Sequence, residues 1–487
     1  MKRILLLSLV AVGALATSCR KIIVDDNNNT VIVQPPSGGG SGGQTITLRG
    51  RIDTSLTLTA NNNYIIDGLT YMVNNATLTI QPGVTIKGNF TGANVAALII
   101  TRGAKIVANG TATAPIVFTS ASPNPRSGDW GGIVICGRAP VNSSSTAGAG
   151  TFLVEGGVNN SFGDGIAGGT DATDSSGVLR YVRIDYAGYA FNPDQEINSL
   201  TLAAVGSRTR VEYVQVSYAK DDAFEWFGGT VNCRYLVSYK TQDDDFDSDN
   251  GYRGTVQFGL IVRDSSIADV SRSEAFESDN DANGTVATPK TLAVFSNVTA
   301  IGPRATTSNI GNSLYLCGAQ IRRNSAISIF NSVFMGWPAG LLIDDSRGQA
   351  TWNNVTDSSI RFRGNLIAGC AIPINYAAAT PPTGTSAAIV SNHFMQPFFN
   401  NQILANNEQV GYTRPFDYNN PDFSPFASAN VNIPGFPGGP NPITNGFSFA
   451  DPKLANNSFI TPVTFRGAVG PAGEFNNWYK GWTRFGN

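Results

Sequence analysis

VEYVQVSYAKDDAFEWFGG (residues 211–229), CRYLVSYKTQDDDFDSDNG (233–251) and RSEAFESDND (272–281) are three versions of one pattern. In the first two, a tyrosine (Tyr218, Tyr239) closes a short alternating strand. Acidic residues follow, then an aromatic with an acid behind it: Phe224-Glu225, Phe246-Asp247 and, in the third, Phe276-Glu277. The phenylalanines are 22 and 30 residues apart. Repetition at such a period signals stacked units, each burying little alone and relying on its neighbours.

The same strand recurs further out. Tyr181 to Tyr186 and Tyr213 to Tyr218 match at a spacing of 32 residues. Alternation predicts Val182, Ile184 and Tyr186 on one face, stacked under Val214, Val216 and Tyr218 at about 4.8 Å. Later units are marked by Asn297, Asn331 and Asn365, spaced 34 and 34, each before a short apolar run ending in Gly302, Gly336 or Gly369. Asparagine tolerates the left-handed backbone of a coil corner, so these read as structural.

Composition agrees. Only 14% of residues are charged, and glycine alone accounts for 53 of 487. That suits short strands and tight turns more than helices. A net charge of -2 without a basic stripe gives no reason to expect nucleic acid as a partner.

The ends are not part of the solenoid. Residues 1–18 read as a secretory signal: Lys2 and Arg3, then a short apolar run too brief to span a membrane. Ala16-Thr17-Ser18-Cys19 resembles a bacterial lipobox, which implies lipidation of Cys19 and a membrane held through acyl chains. Residues 19–44 form a tether, with Pro35-Pro36 and a Gly/Ser run. Its early acids resemble the surface-export signals of Bacteroidetes lipoproteins, so the expected location is the outer membrane, facing out. Residues 45–376 form the solenoid, and residues 377–487 a Pro-, Asn- and Phe-rich flank and cap. Trp478 and Trp482 in that flank read as cap, with a sugar-stacking platform as the alternative. Cys136, Cys233, Cys317 and Cys370 sit in no metal motif; pairing and plain burial both stand open.

LTIQPGVTI (78–86), PIVFTS (115–120), WGGIVI (130–135) and VLRYVRIDY (178–186) resemble the coils of right-handed parallel β-helix proteins, and in particular a pectin-lyase-like family of surface lipoproteins common in Bacteroidetes. The resemblance implies an all-β, right-handed parallel β-helix and says little of activity.

Chemistry points back to the opening stretch. Between Asp221 and Asp281 stand 14 acids against 5 basic residues, 40% of all the acids in an eighth of the chain. If Phe224, Phe246 and Phe276 point inward, Glu225, Asp247 and Glu277 point outward as a stripe. Asp221, Asp222, Asp243, Asp244, Asp245 and Asp249 then fall in the bends, with Asp279 just beyond the last strand. Stacked carboxylates repel, and three remedies are open. Calcium is a hard cation that takes six to eight oxygens, at about 2.3–2.6 Å; its ligands would come from these ten acids. The second remedy is pairing with Lys240, Arg253, Arg263 or Arg272. The third is catalysis. Asp221-Asp222 resembles the Asp-Asp step of polygalacturonase-type hydrolases, with Glu225 beside it, but the Gly-His-Gly and Arg-x-Lys of that family are missing. His393, the lone histidine, matches nothing. A pectate-lyase-like reaction would need a basic residue that no motif selects. The expected function is therefore a lipid-anchored binding or structural module that meets a glycan or surface protein. Polysaccharide lyase or hydrolase activity, and a role in an outer-membrane complex, are the alternatives.

Overall fold

The computed structural model describes residues 43–426 and 441–486, apart from 93–94, 144–147, 149, 193–194, 307, 310 and 382. The signal segment, Cys19 and nearly all of the tether lie outside the described residues.

From Thr45 the chain winds into an all-β parallel β-helix whose strands join in one 27-stranded ladder. The ladder has three faces. The first runs through Thr77–Ile80, Lys105–Asn109 and the leading halves of Gly177–Asp185, Arg210–Ser217 and Asn232–Tyr239. The second runs through Thr85–Gly88, Ile116–Ser120 and the trailing halves of the same long strands. The third comprises Ala97–Ile100, Ile133–Cys136, Leu200–Ala203, Phe224–Phe227, Phe246–Asp249, Phe276–Ser278 and Tyr315–Arg322.

Each long strand serves two faces because it bends at a single residue with positive φ. The bends fall in register at Tyr181, Tyr213, Tyr235, Phe258, Asn297, Asn331 and Gly364, with φ between 49° and 71°. A side chain in that conformation costs about 1–2 kcal/mol unless it is glycine or a locally bonded asparagine. The aromatic residues offset the cost by stacking ring on ring: Tyr181–Tyr213 and Tyr213–Tyr235 at 4.4 Å, Tyr235–Phe258 at 5.0 Å. Asn297 and Asn331 mark corners as expected. Asn365 does not, because Gly364 takes the bend, and Asn365 instead links coils: its Oδ1 accepts from Ser332 N (2.8 Å) and its Nδ2 donates to the Ile329 carbonyl (3.0 Å).

The register of Val182 with Val214 and Ile184 with Val216 is the expected one, and all four are buried. Tyr186 and Tyr218 leave that inward face. Their positive φ (65° and 58°) breaks the alternation, and they stack beside one another, half-buried, on the next corner. Phe224, Phe246 and Phe276 are fully buried and meet edge to face at 5.6 and 5.5 Å. All four described cysteines are free thiols, three of them buried.

The ladder runs past residue 376. Ile372–Ala378 completes the third face, and Gln402–Leu404 pairs on Leu366–Ala368. Helix Ala387–Phe394 packs Val390 and Phe394 into the end of the core. The C-terminal segment then lies along the aromatic corner. Trp482 meets Tyr181 and Tyr213 edge-on at 5.8 and 6.0 Å, and Trp478 lies 5.2 Å from Tyr235. Both tryptophans are buried, which makes them cap and not an open sugar platform. Among the described residues no helix is long and apolar enough to cross a membrane.

Candidate metal centre on the third face

Three columns of acids rise on the third face. Along one, each side chain serves the coil above it. Asn198 Oδ1 accepts from Asp222 N (3.2 Å), Asp222 Oδ1 from Asp244 N (2.9 Å), and Asp244 Oδ1 from Glu274 N (2.6 Å). One oxygen of each aspartate thereby satisfies a buried amide at the bend. The second column is Thr201, Glu225, Asp247, Glu277 and Gln320, in register, on the side of the strand away from the phenylalanines. The third is Phe227 and Asp249, continued above by Asp279 and Arg322.

The stripe points outward, as expected, but it is not an open surface. Glu225 is only 5% exposed and Asp222 7%. The excursion between Ile133–Cys136 and Gly177–Asp185 folds over this end of the face, with Phe152 packed 5.8 Å from Phe227. It brings Glu155 to Asn198, whose amide bridges Glu155 (3.5 Å) and Glu225.

Three groups of carboxylates come together with oxygens within 4.8 Å of one another: Asp221, Asp222 and Asp243; Asp222, Glu225 and Asp247; and Asp244, Glu274 and Glu277. Asp222 belongs to the first two, so five acids form one continuous cluster. Burial, then mutual repulsion, holds Asp221, Asp222, Glu225, Asp244 and Asp247 well above the usual carboxylate range. Burial pushes Asp243 up to about 7 and Asp249 up to about 8, each with a neighbouring carboxylate adding to it. Glu155 is carried on the folded-over segment and its residue as a whole is exposed, but burial of its carboxyl against the face raises it to about 7. The buried Oδ1 of Asp247 and Oε1 of Glu274 have no hydrogen-bond donor. Such oxygen-only clusters have the donor set of a hard divalent cation.

The remaining acids are drawn elsewhere. Asp245 is enclosed with Arg263, both fully buried, at 3.2 Å, and accepts from Ser238 Oγ at 2.5 Å. Asp279 is held by Arg322 (2.9 Å) and Arg323 (2.6 Å), and Arg322 also reaches Glu277. Asp249 Oδ1 accepts from the next backbone amide. Of the basic residues expected to pair, Arg263 does, Lys240 meets Asp264 instead (3.3 Å), and Arg253 and Arg272 stand exposed. Glu274 was legible in the repeat itself, since Asp222, Asp244 and Glu274 each stand two residues before the repeated phenylalanine. Glu155, Asn198 and Arg322 carry no such signal, because only the coil register brings them here.

A long parallel solenoid with side-chain ladders and an acid-lined sheet defines the class: a parallel β-helix of the pectate-lyase type. The chain belongs to the pectate-lyase-like β-helix domain family, whose model matches residues 50–401. Among solved structures it is similar to the Dettilon tailspike protein, at 12% identity and a TM-score of 0.25, over 70% of this chain and 63% of that one. No curated protein matches the chain.

Proposed function

We propose that this protein is a secreted, lipid-tethered surface module whose β-helix is loaded with calcium along its acidic face and which binds glycan or a surface partner without cutting it. The observation that carries the calcium reading is the Asp222-centred cluster. Five carboxylates converge there, and among the described residues no basic side chain forms an ion pair with Asp221, Asp222 or Glu225. A bound divalent cation would let all of them ionise together. The lipobox-like Cys19 and the tether behind it support anchoring at an outer surface.

The test is thermal unfolding of metal-free protein with calcium, magnesium or chelator. Calcium at about 100 times its Kd should add about 2.7 kcal/mol of stability, a rise of a few degrees. Asp222→Asn should remove that rise, and identical melting with calcium and chelator would refute the calcium reading.

One observation favours a catalytic alternative. Burial and the neighbouring carboxylates hold Asp222 and Glu225 well above the usual carboxylate range, the direction a general acid requires. Release of new reducing ends or unsaturated products from a polysaccharide, lost in Glu225→Gln with the fold retained, would establish it.

A further inference from the structure

A groove of about 670 Å³ opens on the second face, around the corner from the acids. Its floor is two columns of outward side chains: Val117 beside Arg183, and Thr119, Asp185 and Ser217. One end is closed by Tyr186, which stacks on Tyr218 at 5.0 Å with the rings 5° from parallel. That aromatic stack ends at Tyr186. On the coil before it the paired strand runs on from Phe118 to Ser120, so among the described residues Tyr186 has no aromatic partner on that side, and it lines the groove.

Both walls are pinned. On one side, Asp129 accepts from Ser120 Oγ (2.6 Å) and from Arg126 N (3.1 Å), holding residues 123–127 upright. On the other, Gln215 clasps the backbone of Arg484 from both sides, donating to its carbonyl (2.7 Å) and accepting from its amide (2.8 Å). Gly486 N donates to Tyr239 Oη at 2.9 Å. The walls thus bring Arg126 and Arg484 to the rim above Arg183. Among the described residues none of these three guanidiniums forms an ion pair, and the buried Nε of Arg183 lacks an acceptor. A single acid, Asp185, faces them from the floor, with Arg183 and Arg484 acting on it electrostatically.

An aromatic face, three unpaired guanidiniums, and one carboxyl with two hydroxyls beside it make a composite of separate recognition elements. The ring takes the apolar face of a pyranose. Guanidiniums take a carboxylate or sulfate in paired hydrogen bonds. Asp185 and Thr119 take sugar hydroxyls. We infer that this groove is a binding site for an anionic saccharide, its ring on Tyr186 and its acid group among Arg126, Arg183 and Arg484. The inference rests on the reading above that the module meets a glycan, and adds where and with what charge. Neither the floor nor the walls use the calcium cluster, so the two are separable.

The test is titration calorimetry on the full chain, in calcium and in chelator, with carboxylated (oligoguluronate), sulfated (carrageenan oligosaccharide, which carries no carboxylate) and neutral (cello-oligosaccharide) probes. The expected result is binding of at least one anionic probe and not of the neutral one. The Arg126→Ala/Arg484→Ala double variant, on exposed side chains that leave the core intact, should bind about tenfold more weakly or worse. Tyr186→Ala should also weaken binding, and its melting temperature shows whether the corner survives. Carboxylated against sulfated probes identify the acid group. Preference for the neutral probe, no binding by any anionic probe, or anionic binding indifferent to the double arginine variant would each overturn the groove. Anionic binding that vanishes in chelator or in Asp222→Asn, yet survives the arginine changes, would overturn the groove while leaving the calcium-loaded glycan module standing.

Discussion

Calcium binding to the acidic face should be coupled to proton release, and the coupling can be sized. Asp243, in the cluster with Asp221 and Asp222, is raised to about 7 from 3.8, chiefly by burial. Asp249, further along the face, rises to about 8. Below its folded value each carboxyl is mostly protonated, and a cation must displace that proton to use both oxygens. Each displaced proton makes affinity climb about tenfold per pH unit below the group's folded value. Between pH 6 and 7 the apparent Kd should therefore fall about tenfold or more. Calorimetry at pH 7 in two buffers of different ionisation enthalpy would count the protons directly; at least one is expected per cluster filled. The metal-free protein has the opposite trend. These acids have folded values above their unfolded ones, so over that interval the folded state holds more protons, and stability declines as pH rises from about 4 to 8. Calcium should reverse the upper part of that decline. A Kd that is flat from pH 6 to 8, or binding with no proton released, would refute the picture of a crowded, protonated cluster awaiting a cation.

Other consequences follow from single contacts. Asp245→Asn strands the buried Arg263 guanidinium and should cost about 3–5 kcal/mol by chemical denaturation, equally with and without calcium; a loss that appears only with calcium would make Asp245 a ligand. Asn331→Ala puts a side chain without local bonds at a left-handed corner and deletes both of its links to Ser448 (2.9 and 3.0 Å), for a loss of roughly 2–3 kcal/mol and earlier proteolysis of the C-terminal flank. Cys136 and Cys233 are buried with thiols pushed up to about 12, so a thiol reagent at pH 8 should leave them unmodified in native protein and label them once unfolded.

The fold was legible because a stacked solenoid writes its geometry in one dimension. A 22-residue spacing between Phe224 and Phe246 is at once a sequence repeat and a backbone register. Inward and outward sides followed from alternation for Phe224, Phe246 and Phe276 and the acids beside them. Alternation failed at the corners. Nothing in the local pattern says that Tyr181, Tyr213, Tyr235 and Phe258 sit at positive φ, a place usually left to glycine or asparagine. What holds them there is ring-on-ring contact between coils, together with Trp478 and Trp482 arriving from the far end of the chain. Asn365 shows the same limit on a smaller scale: with Gly364 beside it, the bend moves by one residue and the asparagine becomes a rung.

The acids needed one further step, which is to ask what each oxygen does. Aspartates 22 residues apart on a coil corner have a structural duty, because each can accept the backbone amide of the coil above. Asp222 and Asp244 do so through Oδ1. That duty explains a ladder of acids without any ligand, and had it been the whole account the stripe would carry no function. It uses one oxygen of each, however. It says nothing of Asp221, Asp243, Glu225 and Asp247, which gather round Asp222. Nor does it explain why the balancing arginines stand where they do: Arg263 on Asp245 inside, Arg322 and Arg323 at the far end on Glu277 and Asp279. Positive charge is supplied inside at Asp245 and at the far end, and among the described residues no ion pair reaches the acids around Asp222. A face neutralised only for stability would have spread its arginines evenly. The acids left without one are where an exchangeable cation has work to do.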